Sequence, residues 1–211
     1  MIHGSRPAAR EPADGTLVLL HGRATDEHDL LPVIDALDPD RRLDGLTPRG
    51  PFTLPPGGYH WYGPVVRVGF PNKETFEKSF ALISEWLDAT VDLERTVLGG
   101  FSQGSVMAYA LGLGAGRPRP AGVLAMSGFI PVVEGFELDL EGRRGLPVAI
   151  AHGTHDPVIT VQFGHEARDR LSAAGLDVLY RESPIGHGVD PRGIDELRGW
   201  LARTLPARAA A

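Results

Sequence analysis

Apolar residues in this chain fall into short unbroken runs, separated by longer stretches in which they recur every three or four positions. Thr16 to His21 (TLVLLH) is one such run, and the lack of polar alternation suits a parallel strand buried on both faces. Arg95 to Gly100 (RTVLGG), Ala121 to Met126, Pro147 to Ala151 and Asp177 to Tyr180 read the same way, and Leu43 to Thr47 gives a further strand. The intervening spacing is helical. Asn72 to Asp88 sets Phe76, Phe80, Ile83 and Leu87 on one face, with Asn72 as cap and Glu74 and Glu77 near the positive end. Leu30, Leu31, Ile34 and Leu37 mark an earlier helix with Asp26 as its cap. Gln103 to Leu113 reads as a small-residue helix with Val106, Ala110 and Leu113 on one stripe, and helices at 161–174 and 194–204 complete the series.

Strand and helix alternate along the whole length, which predicts an α/β fold: a mainly parallel central sheet flanked by helices on both faces. With 211 residues and no linker or repeat, one domain over 16–206 is expected, preceded by a poorly ordered extension at 1–15 and followed by a short tail at 207–211. In such sheets the chemistry lies at the carboxyl ends of the strands.

Composition narrows the chemistry. No cysteine is present, so disulfides, thiolate nucleophiles, iron-sulfur clusters and cysteine zinc sites are excluded. The only lysines, Lys73 and Lys78, fall on the amphipathic helix, which argues against Schiff-base chemistry. A net charge of -6 opposes a polyanionic partner, so no nucleic acid is expected. The first residues lack the apolar stretch of a signal peptide. The longest apolar region, Ala121 to Val133, is interrupted and shorter than the ~20 residues of a membrane helix. The expectation is a soluble cytoplasmic protein without a membrane span.

At the end of the RTVLGG strand stands Gly100-Phe101-Ser102-Gln103-Gly104, a G-x-S-x-G pattern between strand and helix. A turn this tight strains the serine backbone and needs glycine on either side, and it directs the first N–H groups of the helix toward one point. A glycine-rich turn that merely packs closely would share this pattern, so its partners carry weight. A serine hydroxyl needs a base, and the base needs an orienting acid, here expected in the chain order Ser, acid, His. Asp156 follows the Pro147 to Ala151 strand, in His152-Gly153-Thr154-His155-Asp156, and His187 follows the Asp177 to Tyr180 strand. Glu182 is an alternative acid, and Asp190 is better explained as a helix cap. His152 and His155 with Asp156 could also be read as metal ligands, but they sit on a strand end and loop broken by Gly153, so no metal is expected. The oxyanion donors would be the N–H of Gln103 and that of Arg23, in the turn His21-Gly22-Arg23-Ala24.

The chain resembles the phospholipase/carboxylesterase family of α/β-hydrolases, which includes bacterial carboxylesterases and acyl-protein thioesterases. The resemblance spans Leu17 to Leu201 and rests on LLHGRATDEHDLLP, RGP followed by GGYHW, GGFSQGS, SGFIP, HGTHDPVI and the GH within Pro184 to Gly188. It implies the α/β-hydrolase fold, a triad of Ser102, Asp156 and His187, and an oxyanion hole from the backbone of Arg23 and Gln103. Two departures stand out: Ala24 replaces a glycine common in the family, and little chain precedes the first core strand, so the opening antiparallel strands should be reduced.

The function implied is hydrolysis of carboxylic esters, or thioesters, of short to medium acyl chains. No cofactor is needed, the partner is a small-molecule ester or thioester, and a homodimer is compatible with the sequence. Lysophospholipase or acyl-protein thioesterase activity is the near alternative. A noncatalytic ligand receptor on the same fold is the distant one, with a metal-dependent hydrolase behind it. The interval Gly128 to Gly145, 18 residues long, lacks room for a large lid. An open, shallow site is therefore expected, lined by Phe129, Ile130 and Val158. Trp61 is expected to face this site and Tyr62 the core.

Overall fold

In the computed structural model, which describes residues 1–64 and 67–208, all six apolar runs are strands of one sheet. In chain order the elements are β1 (His3–Arg6), β2 (Thr16–Leu20), α1 (Leu31–Leu37), β3 (Asp44–Pro48), β4 (Phe52–Thr53), β5 (Tyr59–His60), α2 (Lys73–Thr90), β6 (Thr96–Phe101), α3 (Gln103–Leu113), β7 (Gly122–Met126), β8 (Pro147–Gly153), α4 (Val161–Ala173), β9 (Asp177–Ser183) and α5 (Ile194–Thr204). The seven-stranded sheet runs β1-β3-β2-β6-β7-β8-β9, and every pairing except that of β1 is parallel. Alternate residues of each strand enter different cores. Leu17, Leu19 and Val97 pack with Ile34, Leu37, Leu197 and Trp200 of α1 and α5, whereas Val18, Leu20 and Leu98 pack on the opposite face with α2, α3 and α4. Helix α3 is buried at all of its residues, which explains its lack of an amphipathic stripe and its small side chains.

The start of the chain departs from expectation. Residues 1–15 are not a loose extension: His3–Arg6 pairs antiparallel with β3 as the sheet's edge. Its inward positions are Gly4 and Arg6 rather than apolar residues. A Cβ on Gly4 would lie 2.6 Å from Thr47 Oγ1, and the buried Arg6 guanidinium finds Asp38 at 2.9 Å. The antiparallel part of the sheet is thus reduced to one strand. Of the expected tail, 207–208 is described, and the Arg208 N–H donates to Asp14 Oδ1 at 3.0 Å; the rest lies outside the described residues.

Asn72 caps α2 as expected, accepting the Thr75 N–H at 3.1 Å. Asp26 does not cap α1. It caps its own turn through the His28 N–H, and α1 begins later, at Leu31, with Pro32 in its first turn. The interval from Gly128 to Gly145 lies along the body: Phe136 packs edge-on against Phe76 and Phe80 of α2, and the Ala115 N–H donates to the Glu137 carbonyl. No large lid arises from it.

Candidate active site

Ser102 is the residue between β6 and α3, and its φ of 55° puts a non-glycine residue in the left-handed region. The geometry accounts for both flanking glycines. A Cβ on Gly104 would run into the Leu20 carbonyl, and one on Gly100 would sit 2.6 Å from the Gly104 oxygen. Ser105 braces the turn from below. Its Oγ accepts the Met126 N–H at 2.8 Å and lies 2.6 and 2.7 Å from the Gly100 and Met126 carbonyls, between which its one proton is shared. The Ser102 N–H donates to the Met126 carbonyl at 2.9 Å, so the strained residue is tied to β7.

Three loops converge on Ser102. His187 Nε2 lies 2.9 Å from Ser102 Oγ, and His187 Nδ1 lies 2.6 Å from Asp156 Oδ2. The other carboxylate oxygen of Asp156 accepts the N–H groups of Val158 and Ile159 at 2.8 and 2.9 Å. Burial raises the Asp156 pKa, but the hydrogen bonds from His187, Ile159 and Val158 outweigh it and leave the carboxyl below its ordinary value. The acid and histidine loops are also stitched together through backbone: the Thr154 N–H to Ser183 and the His155 N–H to Ile185. Glu182 lies outside this chain. Its carboxylate is engaged by His165 at 2.5 Å and the Tyr180 hydroxyl at 2.9 Å. His152 Nε2 lies 3.7 Å from Asp156 Oδ2 while His155 is exposed, and among the described residues no three such side chains are grouped to hold a metal ion.

The oxyanion turn is built from the end of β2. Buried His21 holds it: Nδ1 is 2.6 Å from the Gly22 carbonyl and must carry the proton, leaving Nε2 to accept the Gly50 N–H at 2.9 Å. Desolvation lowers the His21 pKa, against the hydrogen bond to Gly22, so the neutral ring suits both contacts. The Gly22 carbonyl also receives the Thr25 hydroxyl at 3.1 Å. That carbonyl and the Arg23 N–H belong to one planar trans peptide, so holding the oxygen turns the N–H to the opposite side. Arg23, Gln103, Ser102 and His187 border the same cavity.

Ala24, the departure from the family pattern, has φ of 70° and donates its N–H to the Tyr59 carbonyl at 2.8 Å. The position keeps the conformation glycine prefers. We expect Ala24→Gly to relieve roughly 1 kcal/mol of left-handed strain, partly offset by the entropy of glycine in the unfolded chain. The net is a rise in Tm of about 1–2 °C, read by thermal unfolding; a fall of several degrees would contradict this.

The cavity that Ser102 borders has a volume of about 1050 Å³, near the upper end of the range usual for small-molecule sites. Part of its wall comes from the β4–β5 hairpin, which supplies Phe52, Leu54 and His60. Phe129 and Val158 line it as expected, joined by Ile159, but Ile130 does not and packs instead against the core. Tyr62 packs in the core as expected, but so does Trp61, which does not reach the cavity. Trp61 has no exposure and donates Nε1–H to the His21 carbonyl at 2.8 Å, while Tyr62 borders the cavity. The Gln103 side chain fixes the backbone of both: it accepts the Trp61 N–H at 3.1 Å and donates to the Tyr62 carbonyl at 2.8 Å. Among the described residues no helix is long and apolar enough to cross a membrane.

Comparison with known proteins agrees with this architecture. The family model for Phospholipase/Carboxylesterase matches residues 7–205. An acyl-protein thioesterase 1 of Gibberella zeae is 31% identical over 131 residues, a stretch that covers 60% of this chain and only 55% of that protein. An acyl-protein thioesterase 1 of Cryptococcus neoformans is 28% identical and matched over 93% of this chain and 94% of its own length. In fold, the chain is similar to the Bacillus cereus carboxylesterase, with a TM-score of 0.81, 24% identity, and coverage of 96% and 93% of the two chains.

Proposed function

The chain belongs to the phospholipase/carboxylesterase family, and from that premise we propose that it is a serine hydrolase cleaving carboxylic esters or thioesters of short to medium acyl chains through an acyl-Ser102 intermediate. The observation that carries the reading is the continuous hydrogen-bonded chain Asp156–His187–Ser102, with links of 2.6 and 2.9 Å, opening into an apolar-walled cavity.

Ser102 Oγ attacks the substrate carbonyl carbon as His187 Nε2 takes its proton. The carbonyl π pair moves onto oxygen, where the Arg23 and Gln103 N–H groups receive the charge. Collapse expels the alcohol or thiol, which leaves with the proton from His187. Water, deprotonated by the same imidazole, then attacks the acyl carbon. Collapse of this second tetrahedral intermediate breaks the bond to Ser102 Oγ, which takes the proton back from His187 as the carboxylic acid leaves. Asp156 accepts Nδ1–H throughout, which keeps the Nε2 lone pair facing the serine.

Relatives named as acyl-protein thioesterases favour the thioester as the second substrate class. The absence of cysteine fits the reducing cytoplasm in which we place the enzyme. Parallel series of p-nitrophenyl esters and acyl thioesters of increasing length test the reading. With Phe52, Leu54, Phe129 and Ile159 along the cavity, kcat/KM should rise about fourfold per methylene and then level off where the wall ends. No jump is expected at the micellar concentration, since no large lid must open. A preference for very long chains with interfacial activation would refute the short-to-medium assignment.

A further inference from the structure

We propose that His152 is a positioning residue for the acid of the triad: its buried imidazole, as the neutral Nε2–H tautomer, fastens the loop that aims Asp156 at His187. The proposal rests on the reading of Ser102, His187 and Asp156 as the catalytic groups. His152 itself touches no reacting atom.

The side chain of His152 leaves the end of β8 with no solvent exposure, and the mechanism makes no use of it. Its Nε2 lies 2.8 Å from the Ile159 carbonyl, seven residues on. A carbonyl only accepts, so Nε2 must carry the proton. Residue 159 is thereby held at both ends: its carbonyl by His152, and its N–H by Asp156 Oδ1 at 2.9 Å. Asp156 Oδ2, the oxygen that takes the His187 proton, sits 3.7 Å from the same His152 nitrogen. The imidazole thus buttresses the three-residue turn whose backbone fixes the carboxylate.

The other ring nitrogen explains why the neutral form is required. Nδ1 is buried and has no hydrogen-bond partner among the described residues. Gly164 of α4 leaves it room, since a Cβ there would lie 3.0 Å from Nδ1 and 3.1 Å from the Tyr180 hydroxyl. A second proton would therefore find no acceptor. It would also place a cation beside Asp156, in competition with the His187 imidazolium that forms during the reaction. Burial depresses the His152 pKa, and the nearby His187 acts in the same direction, against the Ile159 hydrogen bond and the charges of Asp156 and Glu182.

The test combines spectroscopy of the parent with two variants. Nitrogen-15 correlation spectra of the full chain should show His152 as the Nε2–H tautomer at neutral pH, and the His187 Nδ1 proton should resonate far downfield. In His152→Leu the Ile159 carbonyl loses its donor. We expect kcat on a p-nitrophenyl ester to fall about 10- to 100-fold, as small misplacements of catalytic groups do, with KM little changed and the downfield proton shifted or broadened. His152→Gln, whose amide can donate to the same carbonyl, should lose less. A cationic or Nδ1–H His152, or a folded His152→Leu with parental kcat and an unmoved downfield proton, overturns the proposal. So does His152→Gln as impaired as His152→Leu. If His152→Leu does not fold, the parental tautomer and the His152→Gln kcat decide. A parent that hydrolyses no ester and takes no fluorophosphonate label removes the triad reading, and the proposal falls with it.

Discussion

Replacing Ser102 with alanine should lower kcat on a p-nitrophenyl ester on the order of 10⁶-fold, as removal of the nucleophile does when a triad acts as one unit. The fold should survive the change. Position 102 has φ of 55° with a β-carbon already present, so alanine adds no strain, and the turn is held by the Ser102 N–H and by Ser105 rather than by the Ser102 hydroxyl. Among the described residues the hydroxyl hydrogen-bonds only with His187. Loss of activity with an unchanged thermal midpoint therefore isolates chemistry from stability. A fluorophosphonate probe gives the complementary reading: stoichiometric label on Ser102 in the parent and none in the variant. A folded parent that takes no label is the outcome expected of a noncatalytic receptor, and a variant within tenfold of parental turnover removes Ser102 from the mechanism.

The elbow was legible in the sequence because its constraint acts on residue type. Only glycine fits against the Leu20 carbonyl at position 104, so the backbone geometry leaves a mark in the letters. The Asp156 and His187 loops were legible for a related reason: the strands before them are continuous apolar runs, and the architecture puts chemistry at their ends. Where the inward residues carry no apolar signal, the reading failed. Strand β1 turns Gly4 and Arg6 inward, and β4 and β5 are two residues each, too short for any period to show. That hairpin supplies part of the cavity wall.

The placement of Trp61 follows from the same limit. Trp61 and Tyr62 follow a two-residue strand too short for any period to say which side chain meets the cavity, and both pack in one core cluster. His21 and His152 illustrate a different blindness. Both were visible as motif residues, but their partners are the Gly50 N–H and the Gly22 and Ile159 carbonyls. Backbone atoms are present at every position, so a side chain that serves them leaves no complementary residue to find. The sequence distinguishes groups that react from groups that merely bind backbone only when the reacting ones need one another.

The choice of acid separates these cases most sharply, because Asp156 and Glu182 are both carboxylates near the strand ends. Asp156→Asn should cost on the order of 10⁴ in kcat, while Glu182→Gln should leave kcat near the parental value. The asparagine can still accept the Val158 and Ile159 N–H groups through its carbonyl oxygen, so the loop keeps its shape. Its amide nitrogen then faces His187 Nδ1, where the parent has a carboxylate oxygen at 2.6 Å. Two donors cannot share that contact, so the imidazole moves its proton to Nε2. That nitrogen, 2.9 Å from Ser102 Oγ, would then present a hydrogen where a lone pair is needed. The serine proton has nowhere to go. Glu182, by contrast, is exposed and bound to His165 and Tyr180, and its neutralisation disturbs only that surface contact. Steady-state kinetics of the two purified variants decide the matter: a nearly silent Asp156→Asn beside a severe Glu182→Gln would assign the acid to β9 instead.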